Sequence, residues 1–166
     1  KNKLFGFCSH LVWRLHHHIS LSSPKCGELI AIRNNGYVIP KDTTVDEAYL
    51  EWVLKKDGYS LAYADDAIVH NKGPDNFGDY ITQRRRIHAH HLRLKRSTGY
   101  DVSTTDFSTV LMAFSSTLEP DPKALVFSGI AVALEGLSSL LGAYDIYIRN
   151  DGHQCWKVAD STKEIG

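Results

Sequence analysis

Nowhere in these 166 residues does an Asp-x-Asp occur, and neither G-x-x-x-x-G-K nor G-x-G-x-x-G is present. No self-sufficient nucleotide-diphosphate site of those kinds is therefore visible. H-E-x-x-H and related zinc spacings are also missing. Cysteine is sparse: Cys8, Cys26 and Cys155 are odd in number, far apart and without a C-x-x-C. That excludes a disulfide framework or zinc ribbon and reads as a reduced, cytosol-facing protein. Internal repeats, low-complexity tracts and a basic-plus-apolar leader are absent as well, so no signal peptide is expected. Because Lys1 begins within apparent structure, the chain reads as a piece of a longer protein. Net charge is zero, but unevenly arranged: Gln83 to Arg96 holds six Lys/Arg and no acid. That local field points to an anionic partner.

What is there is globular in composition, 43% hydrophobic and 23% charged, and long enough for one domain with a real core. Leu4 to Ile19 reads as a helix with one buried face. Gly27 to Arg33 and Leu61 to Val69 read as strands, the first closed by the turn Asn34-Asn35-Gly36. Apolar residues at Val45, Ala48, Tyr49, Trp52 and Val53 have helical spacing, with a Thr44-x-x-Glu47 capping box before them and Gly58 after. A further helix fits Phe77 to about Lys95, followed by a polar connector from Thr98 to Asp106. After Pro120-Asp121-Pro122, the nearly continuous apolar run Ala124 to Leu141 ends at Gly142, and Cys155 to Ile165 reads as a last short helix.

The chemistry-bearing candidates are the acidic pair Asp46-Glu47 and the run Gln83-Arg84-Arg85-Arg86-Ile87. A carboxylate can take a proton from a hydroxyl, and Arg forks match phosphate oxygens in pairs. Each has a bland rival. Acids in a first helical turn stabilise the helix dipole, and Glu47 completes a capping box. Three successive arginines fan over about 200° of a helix and cannot all meet one ligand. His16-His17-His18 and His88, His90 and His91 look like metal clusters, but neighbouring helical histidines point apart and read better as core or surface groups. The Arg84–Arg96 helix also allows a non-enzymatic anion- or nucleic-acid-binding module, although no recognition motif or aromatic stacking platform accompanies it.

The order Gly27-Glu28-Leu29-Ile30-Ala31-Ile32-Arg33, Val45-Asp46-Glu47-Ala48-Tyr49-Leu50, Gly58-Tyr59, Asp66-Ala67-Ile68-Val69 and Gln83-Arg84-Arg85-Arg86 resembles the C-terminal half of a family 2 glycosyltransferase, over residues 20 to 96. The resemblance implies an inverting enzyme of GT-A fold. The chain would then be α/β, a partial GT-A-like portion at 1–106 followed by a helical, membrane-associated tail at 107–166. It implies Glu47 as the catalytic base with Asp46 as reserve. Gln83 and Arg86, assisted by Arg85, would lie by the donor's diphosphate, and Gly27-Glu28 on the acceptor side. Ile87 stands where the family usually has Trp, which argues against a processive role. A late histidine, His91 or His88, would join a divalent metal (Mg or Mn) whose main ligands, with the rest of the nucleotide site, would precede Lys1. The implied partners are a nucleotide-sugar donor and a glycan or lipid acceptor, without nucleic acid, at the cytoplasmic face of a membrane. The 166 residues alone are expected to be inactive.

The Ala124–Leu141 run is at the lower length limit for a membrane span, about 18 residues. Ser128, Glu135 and Ser139 form one stripe along it, with Gly136 close by. A lone Glu is costly in lipid and normally faces other helices. A buried core helix, an in-plane interfacial helix and a true span all remain open, with membrane association favoured.

Overall fold

The computed structural model describes residues 3–33, 35–40, 43, 45–149 and 160–162. These form five α-helices: α1 Leu4–Ser22, α2 Asp46–Lys56, α3 Phe77–Thr98, α4 Phe107–Thr117 and α5 Pro122–Tyr144. A five-residue wide turn, Asp145–Arg149, extends α5, and short 3₁₀ turns lie at Ser103–Thr105 and Asp160–Thr162. Among the described residues there is no β-strand, which corrects the expected α/β, GT-A-like fold.

The correction falls on two segments. Gly27–Arg33 and Leu61–Val69 lie outside regular secondary structure. Leu29, Ile32 and Ile68 face solvent, Ile68 at 77% exposure. A strand exists only where a neighbour accepts its backbone hydrogen bonds. These two segments do not pair with each other or with anything else described. What holds them is side chains: the Cys26 amide donates to Glu51 at 2.9 Å, and His17 Nδ1 lies 2.9 Å from the Tyr63 hydroxyl.

The helices follow from local signals. Asn76, Asp106 and Asp121 each accept a hydrogen bond from the backbone amide three residues on, at 2.9, 2.8 and 2.9 Å, and so cap α3, α4 and α5. Pro122 opens α5, where its missing N–H costs nothing. Gly58 (φ 82) and Gly99 (φ 74) take the left-handed conformation that ends α2 and α3. The α2 cap falls at Val45, with no side-chain cap hydrogen bond. Thr44, the other half of the expected capping box, lies outside the described residues. So do Asn34 and most of Cys155–Ile165, where only the Asp160–Thr162 turn is described. α4 lies within the 107–166 stretch expected to be helical, although its apolar positions show no evident period that would set its bounds.

α3 is the spine. One side packs along α5, and Leu94 near its end clusters with Val102 of the following connector against Val45 and Ala48 at the start of α2. α1 closes the far end, where Cys8 and Leu11 cluster with Tyr80, Ala131 and Leu134. α5 does not stop at Gly142 as the sequence implies, because that glycine is a contact point. A Cβ there would lie 2.8 Å from the Arg85 carbonyl oxygen and 2.9 Å from the Ala89 nitrogen, both backbone. Gly142→Ala is therefore expected to destabilise by about 1–3 kcal/mol, reversing the usual helical gain of up to about 1 kcal/mol. Gly136→Ala, whose Cβ would meet nothing, serves as the control and is expected to stabilise. Urea-denaturation midpoints of the two variants test the contrast.

Candidate functional site

Tyr80, Arg84 and His88 recur every four residues along α3 and so share one face. All three converge on Glu135 of α5. Arg84 grips the carboxylate with its fork, Nε and Nη2 at 2.7–2.9 Å; the Tyr80 hydroxyl donates at 2.7 Å, and His88 Nε2 lies at 3.1 Å. Burial pushes the Glu135 carboxyl up, but the His88 hydrogen bond and the Arg84 guanidinium outweigh it and hold it well below its ordinary value. Tyr80, desolvated beside that carboxylate, is raised far above a normal phenol.

The next residue, Arg85, about 100° round α3, forms a two-point ion pair with Asp145, which is fully buried at the end of α5. A bidentate, partly buried pair is the strong kind of ion pair. Two of the three arginines thus meet carboxylates of this chain, and Arg85 is spent structurally, not on a diphosphate.

His16 of α1 and His91 of α3 border the same seam. Burial, reinforced by neighbouring cations including Arg84 and Lys25, lowers both, His91 to about 4. They are neutral groups in the fold at pH 7. His88 spends a ring nitrogen on Glu135, and among the described residues no group of three or more His, Cys, Asp or Glu could hold a metal ion. His88 and His91 therefore do not fit a divalent-metal centre by themselves.

Arg86 differs. It lies about two turns before Leu94, the α3 residue that packs on Val45 and Ala48. Burial lowers its guanidinium, and the Glu47 carboxylate acts on it in the opposite direction. Two residues 39 positions apart in sequence thus lie within electrostatic reach. Asp46 and Glu47 are both exposed on the first turn of α2. Gln83 sits three residues before Arg86 and is half-buried, while Gly27 and Glu28 lie in the loop after α1 with Glu28 exposed. The structure therefore places Glu47 within electrostatic influence of Arg86, with Gln83 one turn before it on α3.

Sequence reasoning passed over a second buried acid. Glu51 is 1% exposed and accepts hydrogen bonds from the Cys26 amide at 2.9 Å, Lys55 at 2.8 Å and the Tyr100 hydroxyl. It ties the loop after α1 to α2 and to the connector after α3. The available signal was its position: Glu51 falls one turn after Ala48 and one before Leu54, on the apolar stripe of α2, where a charge must find partners.

Compared with protein-family models, curated proteins and solved structures, the chain matches none.

Proposed function

We propose that this chain contributes to sugar transfer from a nucleotide-diphospho-sugar to a glycan or lipid hydroxyl. Glu47, with Asp46 beside it, is the base that accepts the acceptor's proton. Arg86, with Gln83, supports the departing diphosphate. What supports this reading is that the Glu47 carboxylate acts electrostatically on the partly buried Arg86 guanidinium, near where Leu94 of α3 meets Ala48 of α2. A base beside a single arginine is the charge arrangement needed to deprotonate an attacking hydroxyl while negative charge develops on a leaving group. Arg85 is not assigned to the diphosphate, because Asp145 holds it, and no step is routed through a metal.

The binding-module alternative loses support, since Arg84 and Arg85 already meet Glu135 and Asp145. Membrane association belongs to the same proposal. The stretch Pro122–Arg149 contains an 18-residue window long and apolar enough to cross a membrane, and a lipid-linked acceptor would be met at a membrane surface.

In the protein as encoded, Glu47→Gln is expected to lower transfer by about 10²–10⁴-fold while donor affinity holds. Arg86→Ala is expected to weaken donor binding about 10–100-fold. Product formation from a labelled nucleotide-sugar and calorimetric donor titration separate the two effects. Full transfer by Glu47→Gln would remove the base assignment.

A further inference from the structure

α5 has two unlike sides. Its outward side carries Leu125, Val126, Val132, Leu137 and Leu140, with Val126 at 60% and Leu140 at 72% exposure, and only 28% of the apolar stretch is buried. Gly129, Ala133 and Gly136 lie between these residues and are also exposed, so no charged side chain interrupts that face. The 23 residues of α5 make a helix about 35 Å long. Lys123 stands at its start and Arg149 just beyond its end, and Tyr144 and Tyr147 are exposed near the latter. Cations and tyrosines at the ends of an apolar face match the headgroup zone of a bilayer.

The inward side is occupied: Ala131 and Leu134 pack in the core, and its charged groups are partnered. Glu135 is gripped by Arg84, Tyr80 and His88; Asp145 holds Arg85; and Gly142 lets the α3 backbone approach. Along α3 run Arg84, Arg85, Arg86, Arg93, Lys95 and Arg96. Carrying α5 across a membrane would either drag these cations into lipid or strip Glu135 of its partners. Either is costly, because each charge at the bilayer centre is strongly disfavoured.

We infer that α5 lies in the plane of a phospholipid surface, its Leu125–Leu140 face sunk among the acyl chains and α3 kept in water by the Glu135–Arg84 pair. A helix whose other side is committed to the protein core can embed its apolar face at the headgroup boundary without spanning. The inference rests on the membrane association proposed above and goes further by fixing the helix's orientation.

The test uses the chain synthesised cell-free with phosphatidylcholine–phosphatidylglycerol vesicles, so that both insertion modes are open. Flotation reads association, and V132D/L140D, on the exposed face and away from the core, is expected to cut the bound fraction about tenfold. Orientation is read from single cysteines, Lys123→Cys or Arg149→Cys, with Cys8→Ala, Cys26→Ala and Cys155→Ser as background. A membrane-impermeant maleimide added outside is expected to label both positions equally in floated protein. Labelling of one position only means that α5 spans and overturns the in-plane inference while leaving membrane association intact. Absence of flotation, including a soluble chain that self-associates through this face in sedimentation, overturns both.

Discussion

Arg84→Ala is expected to lower stability by about 3–5 kcal/mol, because removing one member of a buried ion pair strands the other. Glu135 would keep Tyr80 and His88 but lose the opposite charge that offsets its burial. The Arg84 and Glu135 side chains are only 15% and 24% exposed, so solvent screens the pair little. For a chain of this size, a loss of that magnitude lowers the melting temperature by about 10 °C or more. Arg84→Ala combined with Glu135→Leu and Tyr80→Phe should recover most of the loss, since removing both charges and the buried hydroxyl that Glu135 accepts leaves no stranded ion or buried phenol donor. Arg84→Lys should fall between, keeping charge but losing the two-point fork. Circular dichroism at 222 nm follows all three, and a shift below about 2 °C for Arg84→Ala would show that the seam contributes little.

Acid should loosen the same seam by a different route. His91 titrates near 4 in the fold against an ordinary value of 6.5, because burial and the cations beside it disfavour its charged form. Below pH 6.5 the unfolded chain takes up a proton that the folded chain refuses. Stability from this group is therefore full above pH 6.5 and is lost as pH falls toward 4, by on the order of 3 kcal/mol. His16, lowered by the same causes, adds a loss of the same sign. Glu135, held low by His88 and Arg84, extends the loss below the ordinary carboxylate range. Urea midpoints between pH 7 and 4 should fall steadily. His91→Gln should flatten that fall by about one proton, or about 1.4 kcal/mol per pH unit. An unchanged slope would mean that the His91 ring is hydrated, not buried.

Much of the helical content was legible because helices are local. The spacing of Val45, Ala48 and Tyr49, the stop at Gly58, the turn of apolar residues after Phe77 and the run from Ala124 all specify helices through neighbours three and four residues away, and α1, α2, α3 and α5 lie there. The strand readings did not hold, because Leu29, Ile30 and Ile32 carry β-type side chains but pairing depends on a distant backbone that no local pattern specifies. The lone Glu135 announced that it needed a partner, and the sequence could not say which of the six cations of α3 would supply it. Four-residue periodicity made Tyr80, Arg84 and His88 neighbours; the close passage of α5 at Gly142 made them neighbours of Glu135.

By itself, then, the sequence determined where α1, α2, α3 and α5 run, that Gly58 ends α2 and that α5 is apolar, since all of these arise from contacts within a few residues. Only the tertiary structure decided which charges are spent. It set Arg84 on Glu135, Arg85 on Asp145 and Arg86 near Glu47, because successive residues on a helix diverge by about 100° and meet whatever the packing of other elements brings.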